Sequence, residues 1–422
     1  MIGSVNVLLV HQNFPGQFKH LAPALVARGD RVVALAMNQS EPMDGVEIHR
    51  STPRIGTGSQ LSWAQEFETK LIRGEATFRT ALELRAAGFE PDVILAHPGW
   101  GDSLFLKDVW PQARLAIYCE YFYAMAGGDA DFDPEFPLGD DQEARNIRLK
   151  LKGLPQKLHF SMANRGLAPT EFQKSTYPAG FRDRITVVHD GIDTRTIRPI
   201  TTGRITTGNG LSVTRDDEVI TFVARNLEPY RGYHIFMRAL PALLRARPNA
   251  RVFIIGNNGT GYGARPPEGS NWRDIFLREV KDQLDMSRVH FAGSLAYPVF
   301  LELLSISRLH IYLTYPFVLS WSLLEAMALG TPILASDTAP LREVIQHGEN
   351  GMLFPFFDPV ALADQGAAML ADDALRRRLS ENARSTAVER YDLKDVCLPR
   401  QLAFVDGLAQ DSPLPPILEN DL

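Results

Sequence analysis

The sequence predicts an α/β protein built from two Rossmann-like domains, whose parallel sheets face one another across a cleft. Three observations lead to this prediction. The chain has 422 residues, more than one domain usually holds. Short apolar runs alternate with helix-length segments in both halves, and strict alternation of this kind gives a parallel sheet covered by helices. A polar, Gly/Thr-rich stretch at 201–217 separates the two series and is typical of a linker or a surface hairpin.

The first half opens as a strand, a helix and a second strand, which together form a βαβ unit. Its strands are predicted at 5–10, 31–37, 92–97, 113–121 and 184–190, and its helices follow residue 18 and span 63–88. We therefore assign residues 1–200 to an N-terminal Rossmann-like domain.

The second half shows the same alternation of strands and helices, but its residues do not repeat those of the first half. Its strands are predicted at 218–225, 250–256, 288–293, 309–315 and 332–337, and its helices at 232–248, 272–284, 297–308 and 321–330. We assign 218–385 to a C-terminal Rossmann-like domain. The remaining residues, 386–422, are expected to form a C-terminal helix that crosses back toward the first domain, followed by a tail.

Composition excludes several classes of protein. Hydrophobic residues make up 45% and charged residues 22%, and a net charge of −6 gives no general reason to expect nucleic acid as a partner. Cys119 and Cys397 fit neither a disulfide framework nor a zinc site. The chain shows no secretory leader and no apolar stretch of about 18 residues. We expect a cytoplasmic protein, with peripheral attachment to the inner face of the membrane as the alternative.

Two arginines stand where a phosphate group would bind. Arg225 ends a predicted strand, and Arg231 immediately precedes a helix. Ligands of open α/β sheets bind beyond the carboxyl ends of strands, and two guanidiniums beside a helix N-terminus suit a diphosphate. Either arginine alone is more simply explained as a surface residue, whereas the pair favours the phosphate interpretation.

A carboxylate lies inside an apolar helix. The predicted helix 321–330, WSLLEAMALG, has no polar side, so Glu325 is expected to be buried and to need a hydrogen-bond partner. Ser320 or Ser322 can cap this helix and direct its positive end toward a ligand. Glu325 could accept hydrogen bonds from both hydroxyls of a ribose or form a core salt bridge, and the residues alone leave both open.

Three weaker signals come from the first half. His97 ends a strand, although a lone histidine is more often structural than functional. Gly16 lies in the first βα loop but belongs to no dinucleotide fingerprint. Asp129, Asp131 and Asp133 are closely spaced but lack the rest of a calcium-loop pattern. An acidic surface or acceptor-binding loop is favoured over a metal site.

Together these segments resemble the retaining glycosyltransferases of family 4, the group 1 glycosyltransferases with the GT-B fold. The resemblance covers most of the chain, in the family's order. Its quoted segments are VVHDGIDTRTIRP, VARNLEPYRG, RVHFAG, SLLEAMALGTPILASD and HGENGMLFPFFDP. The block at 320–358 is the most specific part.

The resemblance implies a role for each candidate. Arg225 and Arg231 resemble the pair that binds the donor's diphosphate, and Glu325 resembles the glutamate that holds the nucleotide ribose. His97 resembles the first-domain histidine near the donor sugar and the reaction centre, and Gly16 the glycine loop that approaches the diphosphate. On this basis the catalytic candidates are His97, Arg225 and Arg231. The same block adds three donor-binding candidates: Ser320, Trp321 and Ser322.

Two positions depart from the family pattern. The family commonly has a glutamate eight residues before the ribose glutamate, and this chain has Phe317 there. The usual polar contact with the donor sugar must then come from elsewhere, or the donor differs, or activity is lost. Asp190 replaces an asparagine of the family, which is a mild change.

The resemblance implies a retaining hexosyltransferase that needs no metal or cofactor and uses a UDP-sugar or GDP-sugar donor. The acceptor would be a glycan, a lipid-linked sugar or a small-molecule glycoside. Residues 120–155 are the best candidates for choosing it. Within that range, 147–152 (IRLKLK) is either a solvated helix face or a contact with an anionic membrane. The alternatives are a non-catalytic sugar-nucleotide-binding module, or another GT-B enzyme such as an epimerase or a phosphorylase.

Overall fold

A computed structural model describes residues 3–123, 128–137, 141–208 and 210–414, except for the side chains of Ser62 and Gln142. The chain divides into two compact units, each built on one parallel sheet, so the predicted two-domain α/β fold is confirmed. The first domain comprises Met1–Met125, Asp141–Asp190 and Lys394–Leu422. The second domain comprises Ala126–Asp140 and Gly191–Leu393.

The first domain contains a seven-stranded sheet in the order β3-β2-β1-β4-β5-β6-β7. Its strands are β1 (Asn6–Val10), β2 (Arg31–Ala36), β3 (Val46–Arg50), β4 (Val93–Ala96), β5 (Arg114–Tyr118), β6 (Arg165–Ala168) and β7 (Ile185–Val187). Its helices before the second domain are α1 (Leu21–Arg28), α2 (Ser62–Ala86), α3 (Leu106–Val109), α4 (Gln142–Phe160), α5 (Glu171–Ser175) and α6 (Ala179–Arg182).

The apolar sequence of β1 is explained by its central position. Leu8 and Val10 belong to the core on one face of the sheet, and Val7 and Leu9 to the core on the other. A strand buried on both faces reads as a continuous apolar run, which is why β1 was predictable. β3 was not predicted because it is a half-exposed edge strand, and β6 was not predicted because its sequence, RGLA, contains no run of large apolar residues.

The second domain contains a six-stranded sheet in the order β12-β11-β10-β13-β14-β15 and a separate two-stranded hairpin, β8-β9. Its strands are β8 (Arg204–Thr206), β9 (Ser212–Thr214), β10 (Val219–Asn226), β11 (Arg251–Asn257), β12 (Val289–Gly293), β13 (Leu309–Tyr312), β14 (Ile333–Ser336) and β15 (Met352–Phe354). Its helices are α7 (Tyr233–Ala246), α8 (Trp272–Val280), α9 (Tyr297–Ile306), α10 (Trp321–Ala328), α11 (Ala339–Arg342), α12 (Pro359–Ala371) and α13 (Asp373–Tyr391).

The chain returns to the first domain after a π-helical turn at Leu393–Cys397. The last helix, α14 (Leu398–Ala409), buries Phe404, Val405 and Leu408 in the first-domain core. Among the described residues, no helix is both long enough and apolar enough to cross a membrane.

The structure corrects the boundary placed at residue 200. Residues 191–200 already belong to the second domain, where the Ile192 N–H donates to the Tyr391 carbonyl oxygen. Residues 128–137 also pack in the second domain, and we call them the acidic strap. Glu135 of this strap pairs with both terminal nitrogens of Arg238 at 2.7 Å.

Tyrosine hydroxyls anchor the acidic strap. Tyr315 Oη donates to Asp133 Oδ2 and Tyr230 Oη donates to Asp129 Oδ2, each at 2.5 Å. Phe132 of the strap packs against the ring of Tyr315. Both aspartates are buried, so these carboxylates act as hydrogen-bond acceptors within the second domain, not as an acidic surface loop.

We predict that Tyr315→Phe lowers the free energy of unfolding by about 1.5–3 kcal/mol, because it removes a hydrogen bond to a buried carboxylate. Tyr262→Phe is the control, since this ring is 40% exposed and should change stability by less than about 0.5 kcal/mol. Urea unfolding of both variants gives the comparison. Equal stability of the two variants would contradict the anchoring role of Asp133.

Candidate functional site

The second-domain candidates lie where the strand order of the sheet reverses. β10 and β13 are adjacent although two strands, β11 and β12, lie between them in the sequence, so the loops that follow them diverge at this point. Ligands of open α/β sheets bind at such a point, beyond the carboxyl ends of the strands. Arg225 ends β10 with Arg231 in the loop beyond it, whereas Ser320 and Glu325 follow β13. The structure therefore places all four at one edge of one sheet.

Arg231 joins the two diverging loops. Its Nη1 donates to Thr314 Oγ1 at 2.7 Å and to the Val318 carbonyl oxygen at 3.2 Å, both beyond the end of β13. The next residue, Gly232, has φ +66° and caps α7. A Cβ at Gly232 would lie 2.3 Å from the Cβ of Leu313, so only glycine allows this close approach. The backbone of Arg231 thus stands directly before α7, while its guanidinium is held against the loop beyond β13.

Arg225 is exposed, and the structure gives its guanidinium no hydrogen-bond or ion-pair partner within the described residues. Such a side chain has its full charge available for an anion. Together with the fixed guanidinium of Arg231 and the N-terminus of α7, it supplies cationic groups of the kind that bind diphosphates.

Glu325 is buried one turn into α10, as the sequence predicts. Its Oε1 accepts a hydrogen bond from the Tyr297 hydroxyl at 2.6 Å, and burial together with this carboxylate raises the pKa of Tyr297. Ser320 caps the helix, because its Oγ accepts from the Ser322 N–H at 3.3 Å. Trp321, the first residue of α10, is 37% exposed.

Phe317 lies in an aromatic cluster next to Arg231. Its ring centroid is 5.0 Å from that of Tyr230 and 4.8 Å from that of Tyr262, and its side chain is buried. The Arg231 guanidinium carbon is 5.8 Å from the Phe317 centroid, within cation–π range. The side chain at 317 thus contacts a cation and two rings and offers no polar group.

A second buried carboxylate fixes the glycine-rich loop after β11. Glu228 accepts a hydrogen bond from the Gly261 N–H at 2.9 Å, and burial raises the pKa of Glu228 above its usual range. A Cβ at Gly261 would lie 2.7 Å from Glu228 Oε1. This loop is therefore held against the β10–α7 loop that carries Arg231.

The first domain has its own reversal point between β1 and β4. His11 follows β1, His97 follows β4, and Glu120 follows the neighbouring strand β5. The His11 and His97 rings meet edge to face, with centroids 5.4 Å apart. The predicted residue His97 is therefore one member of a polar cluster.

His97 is held by contacts on every side. Its Nδ1 accepts from the Gly99 N–H at 3.2 Å, so Nε2 carries the proton and faces Glu120 Oε2 at 3.2 Å. The ring stacks between Trp100, at 4.3 Å, and Tyr118, at 5.7 Å. This arrangement fixes one tautomer and one orientation of the imidazole.

His11 reaches the same carboxylate through a glutamine. Its Nδ1 accepts from the Asn13 N–H at 3.0 Å, and its Nε2 lies 2.7 Å from Gln17 Oε1. Gln17 Nε2 then donates to Glu120 Oε1 at 3.2 Å. Burial, followed by the charge of His97, lowers the pKa of His11 to about 4, so this imidazole is neutral at pH 7.

Gly16 is needed to accommodate His11. Gly16 has φ +47°, and a Cβ there would lie 2.3 Å from the imidazole ring of His11. The structure therefore assigns the predicted glycine a packing role against the cluster. Asp190, which stands where the family has an asparagine, accepts a hydrogen bond from the Tyr118 hydroxyl at 2.7 Å.

Asp102 lies buried near His97 with both carboxylate oxygens unpartnered among the described residues. Burial raises its pKa to about 6, and the charge of His97 opposes that rise. Over the same described part of the chain, no group of three His, Cys, Asp or Glu side chains is arranged to hold a metal ion.

The sequence prediction missed His11, Gln17 and Glu120. His11 and Glu120 each stand just past an apolar strand, the same signal that selected His97. Applying that rule to the predicted strands would have found His11, whereas Glu120 lies inside the predicted strand 113–121, which in the structure ends at Tyr118. Gln17 carries no such signal, because its role depends on a carboxylate 103 residues away.

The chain matches two family models. One, described as "Glycosyl transferase family 4 group", matches residues 28–197. The other, described as "Glycosyl transferases group 1", matches residues 211–386. The two matches cover different domains and together include all the predicted site residues except Gly16.

Curated relatives agree with these families. A phosphatidyl-myo-inositol mannosyltransferase of Mycobacterium leprae is 32% identical over 176 residues, which are 42% of this chain and 43% of that protein. The match therefore spans less than half of that relative's length. A glycogen synthase of Mycobacterium tuberculosis is 24% identical over 436 residues, covering 96% of this chain and 94% of that protein.

Solved structures share the fold over nearly the whole chain. Sucrose-phosphate synthase from Thermosynechococcus elongatus has a TM-score of 0.71 at 17% identity, covering 96% of this chain and 100% of that one. Anabaena HepE in complex with UDP-glucose has a TM-score of 0.64 at 16% identity, covering 96% of this chain and 99% of that one. At such identities the likeness shows the GT-B fold.

We predict that Gly16→Ala lowers the free energy of unfolding by about 2–4 kcal/mol, because a strained backbone and a clash with His11 add together. Gly29→Ala is the control, since Gly29 has φ +97° but a Cβ added there would meet nothing within 4 Å. It should lose only the strain, about 1–2 kcal/mol. Chemical denaturation measures both, and equal losses would refute the close packing of Gly16 on His11.

We predict that Asp102→Asn stabilises the protein at pH 7 by about 2–3 kcal/mol. The folded-state pKa of about 6 exceeds the ordinary value of 3.8, so the folded state binds more protons between these values. The free energy of unfolding of the unsubstituted protein therefore falls as pH rises through this window, and the advantage of the amide variant disappears below it. Exposed Asp108→Asn is the control. Unfolding from pH 3.5 to 8 should show a pH-dependent difference only for Asp102→Asn.

Proposed function

Because this chain belongs to the glycosyl transferase family 4 group of group 1 glycosyltransferases, which have the GT-B fold, we propose that it is a retaining, metal-independent glycosyltransferase. It moves a hexosyl group from a nucleotide-sugar to an acceptor hydroxyl. The observation that carries this proposal is the arrangement of Arg225, Arg231 and Glu325 at the reversal point of one sheet.

Arg225 and Arg231 act on the leaving group. As the glycosidic bond to the diphosphate breaks, negative charge grows on the phosphate oxygens, and fixed cations nearby lower the energy of that transition state. Arg231 is already oriented by Thr314 and Val318, so it needs little reorganisation. Two guanidiniums and the N-terminus of α7 supply the positive charge that a divalent metal provides in other transferases.

Glu325 and its neighbours hold the nucleotide. The carboxylate accepts hydrogen bonds from the ribose hydroxyls, and Tyr297 orients it from the side. Ser320, Trp321 and Ser322 at the start of α10 complete the donor-binding residues. UDP-glucose is the first donor to test, since the structurally similar HepE was solved with it, and GDP-sugars come next.

His97 and Glu120 serve the donor sugar and the reaction centre. His97 is fixed in one orientation, and the Glu120 side chain is 37% exposed, so the carboxylate remains accessible to a sugar hydroxyl. The acceptor hydroxyl attacks from the side of the departing diphosphate, whose oxygen takes the acceptor's proton, and configuration is retained.

The acceptor is a glycan, a lipid-linked sugar or a small glycoside, chosen by residues 120–155. Helix α4 begins in this range and exposes Arg148 and Lys150. These two cations lie on different sides of the helix, and either suits an anionic acceptor or the inner membrane surface in a cytoplasmic enzyme.

One observation favours a second function. Phe317 offers no polar group where the resemblance calls for a carboxylate that binds the donor sugar. The second candidate is therefore a non-catalytic module that binds a sugar-nucleotide without consuming it. The two candidates differ in turnover, not in nucleotide binding.

We predict that Arg231→Ala weakens UDP binding at least tenfold and lowers the release of free nucleotide from donor about 100-fold, equivalent to about 2.7 kcal/mol. Arg278→Ala, at an exposed arginine of α8, should leave both unchanged. Calorimetry measures binding, and chromatography of the nucleotide products measures release.

The outcomes separate the two functions. Binding that depends on Arg231 without any donor consumption, across several donors and acceptors, supports the module. Binding that is unaffected by Arg231→Ala contradicts both.

A further inference from the structure

A second concave site lies at the opposite edge of the second-domain sheet. This cleft of about 420 Å³ lies between α13 and the amino ends of β10, β13 and β14, because most of its lining residues either belong to α13 or shortly precede these strands. Ser307 and Gly330 contribute to its floor. Arg225, Arg231 and Glu325 lie beyond the carboxyl ends, so the cleft is separate from the site described above.

The cleft, which we call the amino-edge cleft, is rich in arginine. Five arginines line it against three carboxylates, in a chain whose net charge is −6. The arginines are Arg215, Arg308, Arg376, Arg377 and Arg384, and the carboxylates are Asp216, Asp373 and Glu381. Positive charge is therefore concentrated at one place on an acidic protein.

Some of these arginines make contacts within the protein. Arg384 donates to the carbonyl oxygen of Ala328, and Arg376 pairs with Asp373. Arg308 reaches Asp373 only at 4.0 Å, which is a weak ion pair.

The rest of the charge is uncompensated. Arg215 and Arg377 are exposed, and neither guanidinium has a hydrogen-bond or ion-pair partner in the described ranges. Burial, and after it the charge of nearby Arg308, lowers the pKa of Arg376, as expected where cations crowd together. Bringing like charges together costs free energy that an anion would recover.

We propose that the amino-edge cleft binds a small phosphorylated polyol or sugar. The guanidiniums of Arg215 and Arg377 hold its phosphate, since the planar fork of arginine matches phosphate oxygens. Asp216 and Glu381, whose carboxylates have no ion-pair partner among described residues, accept its hydroxyls. A volume of about 420 Å³ falls in the range of small-molecule sites and exceeds what a bare ion needs.

The experiment must separate this cleft from the donor site, which also attracts phosphate. Full-length Arg225→Ala/Arg231→Ala protein therefore serves as the background. Inorganic phosphate and glucose 6-phosphate are the probes, titrated by calorimetry at constant ionic strength with chloride as the reference.

Arg377→Ala and Arg215→Ala should each weaken glucose 6-phosphate binding at least tenfold. Arg378→Ala is the matched control, because it is the next residue of α13, does not line the cleft and donates instead to the Gly348 carbonyl oxygen. It should bind within twofold of the background protein. Glucose 6-phosphate should also bind more tightly than phosphate, through its hydroxyls.

Three results would overturn the proposal: no binding beyond that of chloride in the background protein, equal binding by the Arg377→Ala and Arg378→Ala variants, or glucose 6-phosphate binding no tighter than phosphate. Arg215, Arg377 and Arg378 are exposed, so their substitution does not unfold the protein. Arg231 is only partly exposed, so circular dichroism first checks that the background protein is folded. The donor site is disabled throughout, so failure here leaves the proposed glycosyltransferase function standing.

Discussion

The two hydrogen bonds of the Arg231 guanidinium are the constraint on which the second-domain site depends. They bind the loop after β10 to the loop after β13, across the point where the strand order reverses. Both bonds use Nη1, so Nε and Nη2 have no hydrogen-bond partner among the described residues and can donate to an anion. In the proposed function this side chain both fixes a loop and binds a phosphate, and a rigid fork with several donors, which arginine has and lysine lacks, suits both tasks.

The sequence predicted the fold well because central parallel strands are buried on both faces and read as apolar runs. The sequence also predicted part of each site, because the end of an apolar run marks the carboxyl end of a strand, and ligands bind at that edge of the sheet. Arg225 and His97 were found in this way. Gln17 and Glu120 could not be derived, because they meet only through the adjacency of β1, β4 and β5 in space. The local pattern of apolar and polar residues does not determine the order of strands in a sheet.

The acidic strap shows the same limit at the level of domains. Closely spaced aspartates read as an exposed loop, and its position in the chain assigns it to the first half. The acceptors Asp129 and Asp133 instead meet tyrosines 101 and 182 residues away and become buried. Burial of a carboxylate is costly without such donors, so the hydroxyls of Tyr230 and Tyr315 offset part of the free-energy cost of packing the strap there. The strap therefore belongs to the second domain because of contacts between residues far apart in the sequence.

The positive charge of Arg231 explains why a phenylalanine at position 317 is compatible with an anion-binding site. A glutamate at this position would lie within a few ångströms of the guanidinium, because the Phe317 ring already lies 5.8 Å from its central carbon. In a site this buried the two would form an ion pair, and part of the positive charge would be neutralised before any ligand arrived. The aromatic ring instead orients the cation through its π face while leaving the net charge intact. Under the proposed function, phenylalanine at 317 gives up one contact to the donor sugar but leaves the guanidinium of Arg231 without a competing carboxylate, so that it can bind the diphosphate of the departing nucleotide.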